Sequence, residues 1–412
     1  MRILLISPWF PSPPFGGALI RVSETLRHLS GRHAVTLVAP AAHPVARRDL
    51  EPLAAWCEAV EIVPISERPA AVLGRMAAGL VRGMPLIQGL HRHPAMRRAV
   101  ARLTAAHDYD VVHVEHSFMA PYLSAIARGR HPRTVLSMHN IESLRFRREL
   151  ATARGGRRLA LFIDSVVFRS WEPAAVRRFD GVMAVSGAER DWARAQAPDT
   201  PLATVPNGVD TAHFVPAPAV RTRPTLLFPG LMNYPPNIDA AAWLCDDILP
   251  RVATRHAGAR VRIVGDKPTP EVLALAGRPG VEVTGRVPDV RPHFAECAAV
   301  VVPLRSGAGT RLKILEAMAM QRPVVSTTQG AEGLDVTPET DILLADTAAG
   351  LAAHVCRLLD DAALADRLAR AGRELVERLY DWTRCFDALD VLYQQVSRTA
   401  PVPGLGAVED PT

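Results

Sequence analysis

Short apolar runs alternate along this chain with longer stretches in which apolar positions recur every three or four residues, the pattern of strands interleaved with amphipathic helices. Residues 3–6 (ILLI) read as a first buried strand. The Pro-rich SPWFPSPPFGG follows, then a helix over about 18–29 and a second strand at 34–38. Further strands are predicted at 59–63, 111–114, 134–137 and 181–185. Strands alternating with helices imply a parallel sheet covered on both faces. The turn-rich VPNGVDTAHFVP (205–216) and PAPAVRTRP, ending at Pro224, then read as a linker.

A second alternation begins beyond it: strand 225–228, helix 238–249, strands 260–264 and 281–284, helix 293–297, an apolar run ending at Val302, helix 312–320 and a β-branched run from Val324. A helical stretch over 351–379 and a last helix over about 382–396 precede a Pro/Gly-rich tail. The fold class is α/β, with two Rossmann-like, doubly wound domains facing a cleft. The expected division is an N-terminal domain 1–205, a hinge 206–224, a C-terminal domain 225–380, a helix 381–398 crossing back to the first domain, and a disordered tail 399–412.

Residues 301–328, VVPLRSGAGTRLKILEAMAMQRPVVSTT, carry the first chemistry: strand, loop with Gly307 and Gly309, helix, then Pro323 and a new strand. Bare N–H groups at a helix start, together with the helix dipole, favour a phosphate, and glycine lets the backbone come close. Arg311 and Lys313 sit at that start, where helix electrostatics alone prefers acids. The chain has 48 Lys+Arg, of which only Lys267 and Lys313 are lysines, so a lysine here departs from the chain's default cation. The competing reading is a solvated basic turn in an ordinary βαβ unit. Glu316, on the first turns of the helix, favours the ligand: a carboxylate there repels phosphate but accepts hydrogen bonds from a ribose hydroxyl pair. Phosphate on amides and sugar on an acid together describe a nucleoside diphosphate.

The first half adds polar clusters at its strand ends, His113-Val114-Glu115-His116-Ser117 and His139-Asn140-Ile141-Glu142. Such positions lie at the carboxyl edge of a parallel sheet, where open α/β folds bind ligands. Glu115, His116, His139 or Glu142 could stabilise charge on a sugar ring or position an acceptor hydroxyl. The alternative is loop polar groups bonded to nearby backbone. Gly16-Gly17 fall in the loop after the first strand, but they are not a full Gly-x-Gly-x-x-Gly fingerprint and no acid ends the second strand. That argues against a dinucleotide oxidoreductase.

Hydrophobic residues at 48% and charged residues at 22% fit an ordinary globular protein, and five cysteines without metal or redox spacing read as reduced, buried thiols. No run approaches the roughly 18 apolar residues needed to span a bilayer. The prolines directly after MRILLIS favour a first buried strand over a signal peptide, so the expected location is the cytoplasm, at the inner face of the membrane if the chain touches lipid. The net charge of +6 is concentrated between Arg92 and Arg178. That excess suits anionic lipid or a phosphorylated substrate. No aromatic-interleaved basic motif supports nucleic acid as a partner.

VPNGVD with Phe214 downstream, KILEAMAMQRPVV and QGAEGL (329–334) occur in an order that resembles the retaining, nucleotide-sugar-dependent glycosyltransferases of family 4, which have the two-domain GT-B fold. The resemblance covers nearly the whole chain. It implies that Glu316 is the second glutamate of the family's paired-Glu motif, on the nucleotide ribose. Gly309 with Thr310 would lie beside the donor diphosphate, Gly230 would follow the first strand of the donor domain, and Gly17 would approach the phosphates from the other domain. Arg286, in Gly285-Arg286-Val287, would lie beside the base. Ala308 stands where the first motif glutamate is often found, and Asn233 and Asn237 replace the basic pair common after Gly230. Arg311 and Lys313, with Arg305, are expected to supply that positive charge. Glu115 occupies the usual position of a catalytic-region histidine, with His116 beside it.

The implied reaction is transfer of a sugar from an NDP-sugar to a hydroxyl of a glycan or lipid-linked acceptor, with retention, by front-face attack assisted by the leaving phosphate. Glu115, His116, His139 and Lys313 are the expected catalytic set. No protein nucleophile, cofactor or metal is implied. The set NYPPN, GAGTRLK and HNIES resembles a subgroup linked to cell-envelope or exopolysaccharide assembly. Two other readings stay open: a sugar-nucleotide 2-epimerase on the same fold, and a sugar-nucleotide-binding module that has lost catalysis, to which Ala308 lends weight.

Overall fold

The computed structural model describes residues 1–14, 16–127, 129–150, 153, 155–216, 224–307 and 311–398. The chain separates into two compact units: Met1–Pro206 together with the chain from Phe386, and Asn207–Cys385. Residues 217–223 of the expected hinge and the tail from 399 lie outside the described residues.

Unit 1 is built on seven parallel strands: β1 (Arg2–Ile6), β2 (Ala34–Ala41), β3 (Ala59–Pro64), β4 (Val111–Glu115), β5 (Arg133–Met138), β6 (Gly181–Ala184) and β7 (Leu202–Thr204), in the order β3-β2-β1-β4-β5-β6-β7. β1 is apolar without alternation because helices cover both faces of a parallel sheet, and Ile3, Leu4, Leu5 and Ile6 are wholly buried. Truncating such a side chain to Ala costs about 2–5 kcal/mol. The helix Gly17–Ser30 follows β1 and buries Val22, Leu26 and Leu29, one stripe at helical spacing. The strand order reverses between β1 and β4, so the loops after these two strands border the switch point where doubly wound sheets take ligands.

Unit 2 repeats the plan with β8 (Thr225–Pro229), β9 (Arg260–Val264), β10 (Val281–Gly285), β11 (Ala299–Val302), β12 (Val324–Ser326) and β13 (Leu343–Leu344), in the order β10-β9-β8-β11-β12-β13. Its switch point falls between β8 and β11. The helix Leu312–Ala319 leaves the loop after β11 and is pinned at its far end, where Arg373 Nη1 donates to the Ala319 carbonyl at 2.7 Å. A neighbouring helix, Ala362–Leu379, reaches it closely because Gly372 has no side chain; a Cβ there would lie 2.9 Å from Met318 Cγ.

Several elements depart from the sequence expectations. The stretch over 351–379 is two helices, Ala348–Asp360 and Ala362–Leu379, because Asp361 leaves helical geometry (φ −120°, ψ 92°) and its carboxylate caps Leu364 N at 2.9 Å. The helix expected at 238–249 starts at Pro235, where two prolines fit a first turn, and passes through a wider turn at Leu244–Ile248. β7 and β13 are too short to carry a pattern. All five cysteines are free and buried. Among the described residues no helix is long and apolar enough to cross a membrane.

Candidate functional site

In unit 2 the site gathers at the ends of β8 and β11. Lys313, in the first turn of its helix, points back toward β8. Its ammonium lies 4.2 Å above the Phe228 ring and donates to Asn237 Oδ1 at 3.0 Å. Asn237 is buried and bonds the Leu231 carbonyl through Nδ2 at 2.8 Å, so it is itself held. Gly230 makes room for this arrangement: a Cβ would stand 2.8 Å from Lys313 Nζ. Gly265, after β9, is constrained more severely, since its Cβ would fall 1.6 Å from the Gly230 carbonyl oxygen. The Arg311 guanidinium is buried and packs against Gly307, which has φ +104°.

Burial, then the Arg311 charge, lower Lys313 to about 7, with Glu316 opposing. Burial raises Glu316 to about 7, with Lys313 opposing. The two groups lie one turn apart on one helix, both close to the point of changing charge at neutral pH.

The other expected donor residues are placed less uniformly. Asn233 is exposed, and Arg286 is exposed just past β10. Arg305 is already engaged: it bonds Asp239 at 3.0 Å through Nε and stacks over Trp243 at 4.7 Å. Gly309 and Thr310, with Ala308, lie outside the described residues. Gly17 opens its helix after Gly16 (φ +91°) with neither a side-chain cap nor an acid in the first turn among the described residues.

In unit 1 the polar strand ends meet. His113 and Glu115 share one face of β4, and Glu115, wholly buried, accepts from His113 Nε2 at 3.2 Å and from His139 Nε2 at 2.6 Å. Burial would raise the Glu115 carboxyl, but the two histidine bonds outweigh it and hold the group well below the usual carboxylate range. Burial, then His116, lower His139 to about 4 against the pull of Glu115, so at neutral pH its ring is uncharged. His116 takes φ +68°, a strained conformation for a non-glycine residue, and its ring stacks on His139 at 3.9 Å and on Phe118 at 4.9 Å. Trp9, from the loop after β1, meets His116 edge-on at 5.1 Å and is 37% exposed, which makes it the accessible rim of this cluster.

A second carboxylate layer lies beside these rings. Glu142 is 3.5 Å from His116 Nδ1 and accepts from Arg145 Nε at 2.7 Å. Burial alone would raise it, yet Arg145 and then His116 bring it to about 2. Glu172 accepts from the Glu142 and Ser143 amides at 2.9 and 3.1 Å and from the Ser117 hydroxyl at 3.0 Å. Burial and the Glu142 charge push it up to about 7. Sequence reading named Glu115, His116, His139 and Glu142 but missed the roles of Glu172 and Arg145. It also left His113 without a role, although a histidine two residues before Glu115 on a strand had to share its face.

Comparison with known proteins gives these groups a context. Residues 15–213 match the model for Glycosyltransferase Family 4, and residues 223–361 that for Glycosyl transferases group 1. The phosphatidyl-myo-inositol mannosyltransferase of Mycolicibacterium smegmatis is 27% identical across 96% of this chain and 94% of its own length. A glycogen synthase of Mycobacterium tuberculosis is 30% identical over 223 residues, 50% of this chain and 52% of the relative. Among solved structures, sucrose-phosphate synthase from Thermosynechococcus elongatus superposes with a TM-score of 0.70 at 19% identity, over 96% of this chain and 99% of its own. Anabaena HepE, solved with UDP and glucose, gives 0.65 at 17% identity, over 97% and 100%. With both units matched, the chain belongs to the family 4, group 1 glycosyltransferases, transferase enzymes of the GT-B fold.

Proposed function

We propose that the protein moves a sugar, with retention of configuration, from a nucleoside-diphosphate sugar to a hydroxyl of a glycan or lipid-linked acceptor in cell-envelope or exopolysaccharide assembly. The observation that carries this reading is Lys313, fixed by Asn237 and Phe228 against Gly230, with Glu316 one turn further along the same helix. A diphosphate takes the cation and the open amides at the helix start, and a ribose donates its hydroxyls to Glu316. As the bond to the sugar breaks, charge grows on the leaving diphosphate, and Lys313 with Arg311 stabilises it there. Unit 1 receives the acceptor at the His139–His116 rings behind Trp9. The HepE structures that hold UDP and UDP-glucose, and the mannosyltransferase whose name specifies a phosphatidyl-myo-inositol acceptor, agree with this donor and acceptor class.

A lipid-linked acceptor requires the enzyme to work at a membrane surface, and two features of unit 1 support that location. Leu159, Phe162 and Val166 form an exposed apolar stripe on the helix Gly155–Val176, and Leu73, Leu80 and Val81 are exposed on the helix Pro69–Val81. Residues 68–107 contain seven arginines and no acid, a charge that suits anionic headgroups.

The test is a screen of nucleotide sugars for protection against thermal unfolding, followed by turnover with the protective donor and NMR of the product anomer. Protection and a product of unchanged anomeric configuration are expected. Binding of a donor without transfer to any acceptor class would return the chain to the binding-module reading, and conversion of the donor at C2 without acceptor would make it an epimerase.

A further inference from the structure

Glu115 is not reachable by a substrate. It is wholly buried, and each of its oxygens is occupied by a histidine Nε2, His113 at 3.2 Å and His139 at 2.6 Å. Behind His113 stands Tyr393, from the part of the last helix that belongs to unit 1; its hydroxyl lies 2.7 Å from His113 Nδ1 and the residue is 1% exposed. Four side chains from three elements therefore form an unbranched line, Tyr393–His113–Glu115–His139, with only the last ring 7% open to solvent.

Counting protons along this line leaves one arrangement with every atom satisfied and one charge. An ionised carboxylate only accepts, so both histidines turn an Nε2–H toward Glu115. The Tyr393 phenol is buried and kept protonated, first by burial and then by the nearby Glu115 and Asp390 charges, so it donates to His113 Nδ1. His113 is then neutral, with its proton on Nε2. The same demand from Glu115 fixes the His139 proton on Nε2, which leaves the His139 lone pair on Nδ1.

We propose that Tyr393, His113 and Glu115 are positioning residues that hold His139 in the Nε2–H tautomer, so that its Nδ1 accepts the hydrogen bond of the incoming acceptor hydroxyl. This rests on the transfer reading above. His116, stacked face to face on His139 at 3.9 Å, limits ring rotation but forms no hydrogen bond to it, so orientation within the stack comes from Glu115. The last helix thus contributes to the acceptor site without touching acceptor, and Glu115 acts one residue behind the position that sequence alone gives it.

The test uses the full chain with 15N-labelled histidine rings, whose two-bond 1H–15N correlations report which nitrogen carries the proton. In wild type at neutral pH, His113 and His139 should both be protonated on Nε2 and bare on Nδ1. Tyr393→Phe removes one oxygen and little volume; it should mix the His113 tautomers and lower kcat about tenfold with the donor KM unchanged. Glu115→Gln can accept from only one histidine, and it should shift the His139 proton and lower kcat about a hundredfold. Should that buried substitution prevent folding, Tyr393→Phe still decides the matter. A wild-type His139 protonated on Nδ1, or a Tyr393→Phe protein with wild-type spectra and kcat, overturns the proposal. If wild type transfers sugar from no donor, the transfer reading fails while the spectra still report on the proton line.

Discussion

Glu115, Glu142 and Glu172 in unit 1 are buried, and each already has its partners: two histidines, an arginine with a histidine, and two amides with a hydroxyl. In unit 2, Lys313 has one neutral hydrogen-bond partner in Asn237, and Glu316 has no hydrogen bond among the described residues. Burial alone costs both sets heavily. In unit 1 opposite charge offsets that cost at Glu142, which sits near 2, while Glu172, bonded by neutral donors and facing the Glu142 charge, is pushed up to about 7. In unit 2 the cost is not offset, so Lys313 and Glu316 are both moved to about 7, toward their neutral forms. Groups committed to one another fix a geometry. Groups left with neutral company are ready for a ligand that brings charge and hydrogen-bond donors.

The contrast breaks most visibly at Arg145. Arg145→Ala removes the cation that holds Glu142 down beside Glu172, and urea unfolding should register a loss of about 3–5 kcal/mol. Removing Lys313 instead takes away a poorly compensated, half-buried cation, so Lys313→Ala should leave stability level or slightly higher. Equal losses at the two sites would erase the distinction. The same Arg145→Ala protein should behave differently in acid. Glu142 is depressed in the folded state, so its contribution is present above the unfolded value near 4.5 and disappears as pH falls toward 2. Without Arg145 that acid loss should flatten.

Turnover gives the next effect. Lys313→Ala and Glu316→Ala should each lower kcat/KM about 10²–10³-fold while thermal unfolding stays close to wild type. Wild-type donor kinetics in a folded Glu316→Ala protein sinks the ribose assignment. Proton linkage is smaller but more diagnostic. A diphosphate raises the Lys313 pKa, so above pH 7 UDP binding should take up protons; ribose hydroxyls lower Glu316, so below pH 7 binding should release them. Calorimetry in buffers of different ionisation enthalpy reads both signs, and no reversal near 7 means that the two groups do not hold the nucleotide. The smallest change concerns location: replacing Leu159, Phe162 and Val166 by Ser should weaken sedimentation with phosphatidylglycerol vesicles about tenfold and leave a soluble-acceptor assay unchanged.

The legible parts of this protein are those determined over a few residues. β1 stands out because both faces of a parallel strand are apolar, and Lys313 with Glu316 stands out because one turn of helix brings them together. Asn237, singled out in the sequence only as the replacement for a basic residue, and Phe228 complete that site from another helix and another strand, and no local pattern pairs them with Lys313. Asp361 breaks a helix whose apolar spacing runs on undisturbed, because its cap competes with the helix through one side chain. Tyr393 is the extreme case: its partner His113 is 280 positions away, and no periodicity reaches that far.

Unit 1 is discontinuous, since its last side chains, Phe386, Asp390 and Tyr393 among them, follow the whole of unit 2 in the chain. During synthesis at about 5–20 residues per second, the seven strands of unit 1 leave the ribosome roughly 10–35 seconds before the helix that finishes it. Through that interval His28 lacks Asp390 and His113 lacks its phenol. A truncated message or a stalled ribosome therefore yields a first unit whose His28 and His113 lack the partners that the complete chain gives them.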